Sequence, residues 1–213
     1  MLKLIIFDCD GVMFDSKQAN IQYYNHLLNH FGYPSMDTSE IDYVHMHNVM
    51  DSVAFIFRHY PKQQIEAVHK YRTQTDYTPF LKFMLIEKDL VEFLEKVKNF
   101  YHLAISTNRT NTMQSVLNLF DLQKYFKKVM TALDVEKPKP APDALLEILD
   151  FFQCKVEEAI YIGDSIIDQQ HAQSCGMQLI GFKNPDLEAD FHVNSFMKIL
   201  DLDPFIKNRP GHF

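Results

Sequence analysis

The chain has 213 residues, long for one compact domain and short for two full ones, so a domain carrying a sizeable insertion fits the length best. Apolar residues at 46% and charged residues at 23% are ordinary for a soluble globular protein that builds its own core. A net charge of −7 without any Lys/Arg cluster argues against a nucleic-acid backbone as partner, and no apolar run is long enough to span a membrane. Residues 2–7 (Leu-Lys-Leu-Ile-Ile-Phe) are short, apolar and rich in β-branched and aromatic side chains, which predicts a buried parallel strand. That strand follows no basic leader or cleavage site, so no signal peptide is expected. The three cysteines, Cys9, Cys154 and Cys175, are widely spaced and lack metal-ligand pairing, which points to a reducing compartment and a cytoplasmic location.

Beyond Asp15 the pattern becomes helical. Ile21, Tyr24, Leu27, Leu28 and Phe31 recur at helical spacing and Gly32-Tyr33-Pro34 ends the run. Two more helices are predicted over residues 48–60 and 62–76, separated by Pro61. Residues 16–82 therefore read as a helical module, inserted between a first strand and a core domain made of residues 1–15 and 83–213. A strand, crossover helix and parallel strand need on the order of thirty residues, so this block is surplus to the sheet. Its point of insertion, just after Asp8 and Asp10, suggests a lid over them.

From residue 89 onward strands and helices alternate. Helices are expected over residues 89–98 and 111–120, from Pro142 through Phe152, and around Asp168 up to Gly176. Strands are expected over residues 102–106, 128–131, 159–162 and 179–182. This alternation predicts an α/β fold with a Rossmann-like parallel sheet, covered by helices on both faces.

Polar clusters fall at the carboxyl ends of the predicted strands: Asp8/Asp10, Thr107/Asn108, Lys137 and Asp164/Asp168. In open α/β sheets that edge is where ligands bind. Two acids two residues apart at the end of a buried strand are costly unless a cation or a phosphate-bearing ligand makes use of them. Cys9, between them, reads as a small buried hydrophobe, since no histidine is placed by sequence to activate it. Each cluster alone is compatible with a turn, a helix cap or a solvated loop; their joint placement marks an active site.

On these motifs the chain resembles the haloacid dehalogenase superfamily, in its phosphatase branch with an inserted helical cap. Asp8-Cys9-Asp10-Gly11-Val12 matches the first motif, Thr107-Asn108 the second, Lys137 within Lys137-Pro138-Lys139-Pro140 the third, and Gly163-Asp164-Ser165-Ile166-Ile167-Asp168 the fourth. Thr107-Asn108-Arg109 and the proline-rich lysine loop are closest to the phosphoglycolate-phosphatase-like members. The resemblance implies a phosphatase acting on a small phosphorylated metabolite through an aspartyl-phosphate on Asp8, with Asp10 as general acid and base. It implies Mg²⁺ held by Asp8, Asp164 and the backbone carbonyl of Asp10. Thr107, Asn108, Arg109 and Lys137 would bind the substrate, and Asp168 would orient Lys137 or a metal-bound water. Lys139 is a rival in register to Lys137, which the proline spacing favours.

The second acid, Asp10, points to phosphoryl transfer rather than dehalogenation. A sugar-phosphate mutase of the β-phosphoglucomutase type is the runner-up, weakened because Asn20 stands in the region where those enzymes carry a histidine. A catalytically silent binding protein is the other alternative, although no motif position is lost. The i, i+4 pair His26 and His30 lacks a third zinc ligand, and Arg58, Lys62, Lys70 and Arg72 read as solvated. His45 and His47 are minor candidates for substrate contact. The natural substrate and the oligomeric state, monomer or dimer, are left open by the sequence.

Overall fold

The computed structural model describes residues 1–46 and 49–206, apart from the side chains of residues 45, 46 and 63. His47 and the side chain of His45 lie outside this set. The chain divides into two compact units, one made of Met1–Asp15 with Ile86 onward and the other of Ser16–Leu85.

The first unit starts with β1 (Leu4–Phe7), in which all four residues are buried, followed by the two-residue β2 (Phe14–Asp15). The second unit is helical: α1 (Lys17–His30), α2 (Thr38–Met46), α3 (Val49–Ile56), α4 (Gln63–Gln74) and a 3₁₀ turn over Thr78–Phe83. Its core is its own. Tyr23, Tyr24, Leu27 and Leu28 of α1 pack with Met36, Val44, Val53, Ile56, Phe57 and Val68. The helix α2 has no counterpart among the helices expected from the sequence. His30 stacks on Tyr71 with ring centroids 3.6 Å apart, and His26 Nε2 lies 2.9 Å from the Tyr71 hydroxyl. The two histidines thus frame an aromatic ring.

The chain then continues through β3 (Leu85–Ile86), α5 (Leu90–Val97), β4 (His102–Ser106), α6 (Met113–Leu119), β5 (Lys128–Met130), α7 (Asp143–Phe152), β6 (Ala159–Gly163), α8 (Ile166–Cys175) and β7 (Gln178–Phe182). It ends in β8 (Phe191–Val193), α9 (Phe196–Ile199) and α10 (Asp203–Ile206). Strands pair in the order β5-β4-β1-β6-β7-β8, and every pairing is parallel, while β2 and β3 form a separate ribbon. This is the predicted α/β sheet, with β8 added at one edge.

Both faces of β1 are covered. Leu4 and Ile6 pack with Leu145, Ile148, Tyr161 and Leu179. On the opposite face Phe7 meets Phe93, Phe126 and Phe196 at ring-centroid distances of 5.5 to 6.2 Å. A strand buried on both sides has to be continuously apolar, which is why its sequence lacks alternation.

Candidate active site

Strand register sets the site. Phe7 lies opposite Ile105 of β4 and Ile162 of β6, so Asp8, Ser106-Thr107 and Gly163-Asp164 leave the sheet side by side. The Asp8 N–H extends the ladder by one bond, to the Ile162 carbonyl at 2.9 Å. The strand order runs one way from β1 to β4 and β5, and the other way to β6, β7 and β8. Asp8 thus stands at the switch point, where the diverging crossovers leave a crevice.

The lysine in that crevice is Lys139, which corrects the register read from the prolines. Its Nζ donates to Asp8 Oδ1 at 2.7 Å, Asp168 Oδ1 at 2.8 Å and the Tyr161 hydroxyl at 2.7 Å. Lys137 is exposed, and its backbone N–H donates to Asp143 Oδ2. Long-range contacts make the choice. Asn108 Nδ2 donates to the Lys139 carbonyl at 3.2 Å, and the Ala141 carbonyl accepts from His171 Nδ1 at 2.8 Å. The proline-rich loop is held from β4 and from α8, with Lys139 facing inward. Asn108, expected to bind substrate, is thereby tied to the loop, while Asp168 orients Lys139 instead of Lys137.

Asp168 is fully committed. Oδ1 accepts from Lys139 and from Tyr161, whereas Oδ2 accepts from the Ser165 hydroxyl at 2.6 Å and from the Ser165 N–H at 3.2 Å. Ser165 caps α8 and takes the Asp168 N–H in return. Although burial alone would raise the Asp168 carboxyl, Lys139 and these donors hold it below its usual range. Asp8 shares the same ammonium but is pushed well up, mainly by burial and then by Asp168. Asp164 is raised to about 7, again by burial first and Asp168 second. Lys139 is held above its usual value by the two carboxylates, against the opposing effect of burial.

Oxygens of Asp8, Asp164 and Asp168 lie within 4.8 Å of one another. Burial and mutual repulsion raise two of these carboxyls, and hard oxygen donors gathered so closely suit a divalent cation such as Mg²⁺, whose charge would favour their ionised forms. With Asp168 occupied on both oxygens, Asp8 and Asp164 are the carboxylates suited to hold it.

Gly11 lets Asp164 come this close. A Cβ on Gly11 would lie 2.0 Å from Asp164 Oδ2, and the residue has φ +83°. Gly11→Ala is therefore expected to displace the Asp164 carboxylate and to cost about 1–3 kcal/mol in backbone strain alone. Gly32→Ala is the control, since Gly32 has φ +79° with nothing within 4 Å of its Cβ position. Both variants should lower the melting temperature, but only Gly11→Ala should abolish turnover.

Asp10 faces a different partner. Arg109 Nε and Nη2 fork its carboxylate at 3.0 and 2.5 Å. Thr107 is buried, and its hydroxyl oxygen accepts the Arg109 N–H at 3.1 Å, an arrangement that leaves the hydroxyl proton to donate elsewhere. Cys9 is fully buried with its thiol pKa pushed well up by desolvation, so it stays protonated and inert.

Two site-supporting residues, Tyr161 and His171, carried no recognisable sequence signal. Tyr161 reads as one more apolar strand residue, yet its hydroxyl accepts from Lys139 Nζ and offers its single proton to Asp168 Oδ1 at 2.8 Å, with the Ser106 carbonyl 3.1 Å away as a second acceptor for the same proton. His171 is fully buried on α8, with Nε2 2.9 Å from the Ser106 hydroxyl. Because Nδ1 donates to Ala141, the neutral ring takes the Ser106 proton on Nε2. Burial, then Lys139, lowers the His171 pKa from 6.5 to about 4. The unfolded chain thus binds the extra proton first. The associated stability is intact above about pH 6.5 and lost as pH falls toward 4, by up to about 3 kcal/mol. Urea melts between pH 7 and 4 should show His171→Gln less stable than the parent at pH 7 and closer to it at pH 4.

The sequence profile of the haloacid dehalogenase-like hydrolases matches residues 5–182. The chain belongs to this family. It is a hydrolase by descent, and its fold agrees. A solved haloacid dehalogenase-superfamily hydrolase of subfamily IA from Geobacter sulfurreducens superposes with a TM-score of 0.85 at 32% identity, over 94% of this chain and 95% of that one. The pyrophosphatase PpaX of Anoxybacillus flavithermus is 28% identical over 190 residues, covering 84% of this chain and 83% of its own. A β-phosphoglucomutase from Clostridium difficile shares the fold, with a TM-score of 0.74 at 19% identity over 97% and 96% of the two chains. Among the described residues, no helix is long and apolar enough to cross a membrane.

Proposed function

We propose that this family member is a Mg²⁺-dependent phosphatase that hydrolyses a small phosphorylated metabolite through an aspartyl-phosphate on Asp8. The reading is carried by the division of labour between the two acids that follow β1. Asp8 is bound by a buried ammonium at the switch point of the sheet, whereas Asp10, two residues on, is forked by an arginine.

In this mechanism an Asp8 oxygen attacks phosphorus, the bond to the leaving oxygen breaks, and Asp10 supplies the proton that oxygen needs. Asp10 then takes a proton from the water that hydrolyses the acyl phosphate, which returns Asp8 as a carboxylate and releases phosphate. Lys139 holds Asp8 in place and draws the phosphoryl oxygens by charge, while the Thr107 hydroxyl donates to one of them. Mg²⁺ held by Asp8 and Asp164 would offset the repulsion between an anionic nucleophile and an anionic substrate. Asn108 acts through the loop that it holds.

Phosphate release from a panel of phosphomonoesters and pyrophosphate tests the reading, with p-nitrophenyl phosphate as the generic substrate. Turnover should require Mg²⁺, stop with EDTA and return when the ion is restored. Hexose phosphates belong in the panel because a mutase would convert them to an isomer without releasing phosphate. If nothing in the panel is hydrolysed with Mg²⁺ present, the proposal fails.

A further inference from the structure

The turn that follows β7 reaches back to Asp164. Gly181 of β7 pairs with Gly163 of β6, so the two chains leave the sheet side by side. Two residues later the backbone reverses. Lys183 adopts the left-handed region, φ +55°, a conformation that is costly for a residue with a side chain unless its surroundings fix it. They do: its N–H donates to the Val193 carbonyl at 2.8 Å and its Nζ to Glu87 Oε1 at 2.5 Å. Gly181 leaves room for the reversal, since a Cβ there would lie 3.0 Å from the His192 ring and 3.3 Å from the Asn184 carbonyl.

The reversal delivers Asn184 to a defined place. Its Oδ1 accepts the Asp186 N–H at 3.1 Å, and its Nδ2 donates to the backbone carbonyl of Asp164 at 2.8 Å. One partner can only donate and the other can only accept, so the orientation of the amide is fixed. Asp164 is thereby held by its backbone on both sides, because its own N–H donates to Asp168 Oδ2 at 3.3 Å. What remains free is rotation of the Asp164 side chain, in the space that Gly11 keeps open.

We infer that Asn184 is a positioning residue for metal binding, which fixes the Asp164 peptide so that the carboxylate is already oriented when a divalent cation arrives. Asn184 acts through Asp164 and is not itself a ligand. Removing a group that orients a metal ligand weakens the metal by about ten- to hundredfold. The inference rests on Asp164 holding the cation, as proposed above.

Mn²⁺ takes the same oxygen ligands and is the probe, its free fraction counted by electron paramagnetic resonance as it is titrated into the substrate-free full chain. Asn184→Ala removes both bonds of the amide. Asn184→Ser keeps an oxygen for the Asp186 N–H but is too short to reach Asp164, so it separates the contact from the local turn. Both variants should bind Mn²⁺ about ten- to hundredfold more weakly than the parent, and Asn184→Ser should melt close to the parent in EDTA. In turnover, the Mg²⁺ concentration for half-maximal rate should rise by a similar factor while the rate at saturating Mg²⁺ changes little. A merely structural role would not give that split.

Parental Mn²⁺ affinity in Asn184→Ser overturns the inference, even if Asn184→Ala binds weakly, because the turn alone would then be responsible. Asp164→Asn is the reference. If it binds Mn²⁺ as the parent does, the assignment of Asp164 as a ligand falls and this inference with it. If Asp164→Asn loses the ion and Asn184→Ser keeps it, Asn184 alone is refuted.

Discussion

Replacing Asp8 by Asn is expected to lower phosphatase turnover by about 10³-fold or more while leaving the folded protein at least as stable as the parent. The two halves of this expectation have separate causes. An amide lacks the anionic oxygen that attacks phosphorus, and among the described residues beside it Cys9 is held as a thiol by burial, Asp168 has both oxygens engaged and Asp164 is the other carboxylate suited to the metal. Stability goes the other way. The folded Asp8 carboxyl titrates well above its ordinary value, so in the absence of a metal its ionised form opposes folding as pH rises toward neutrality. Asn removes that burden and still offers a carbonyl oxygen to Lys139, which keeps Asp168 and Tyr161 as partners. Such an exchange of stability for function is a mark of a reactive site, where a structural ion pair would give the opposite result. Melting curves in EDTA beside turnover in Mg²⁺ check it. An Asn variant that kept metal-dependent turnover would exclude Asp8 as the nucleophile, and one that turned over poorly only because it unfolded would show the carboxylate to be structural.

Much of this site was legible because its parts are local. The apolar run of β1 ending in Asp8 shows both the burial of the strand and the anomaly at its end, and Ser165-x-x-Asp168 carries the local pattern of a helix N-terminus. What could not be read depends on distant partners. Lys137 and Lys139 each stand before a proline in one loop, and the choice between them is made by Asn108 and His171, 31 and 32 positions away from Lys139. Tyr161 has the side chain of a buried strand residue, and only the arrival of Lys139 and Asp168 turns its hydroxyl into a junction. The edge strand β8 escaped for another reason. At three residues, none of them fully buried, it is too short to show a period and gains its definition from β7.

The register of that loop carries the second large effect. Lys139→Met is expected to reduce turnover by about 10²- to 10³-fold, the scale of losing one preorganised donor at a reacting group. It should also destabilise the fold at neutral pH by about 3–5 kcal/mol, because it withdraws the ammonium from between buried carboxylates. Asp8, Asp164 and Asp168 would then face one another with their mutual repulsion unrelieved. Lys137→Met, at an exposed side chain in the same loop, should stay within about 0.5 kcal/mol of the parent and keep most of its activity. The two variants have the same composition and differ by two positions, so the contrast isolates placement from charge count. Acid gives a further discriminant. Without Lys139 the three carboxyls titrate higher in the folded state than in the unfolded chain, so the folded state binds more protons and the deficit of Lys139→Met shrinks as pH falls through those folded values. Urea titrations at pH 7.5 and pH 5, run in EDTA, should therefore bring Lys139→Met closer to the parent at the lower pH. A deficit that stayed constant would assign the loss to packing of the lysine stem rather than to its charge. Equal loss of activity in both variants would place the working ammonium outside the Asp8–Asp168 pair.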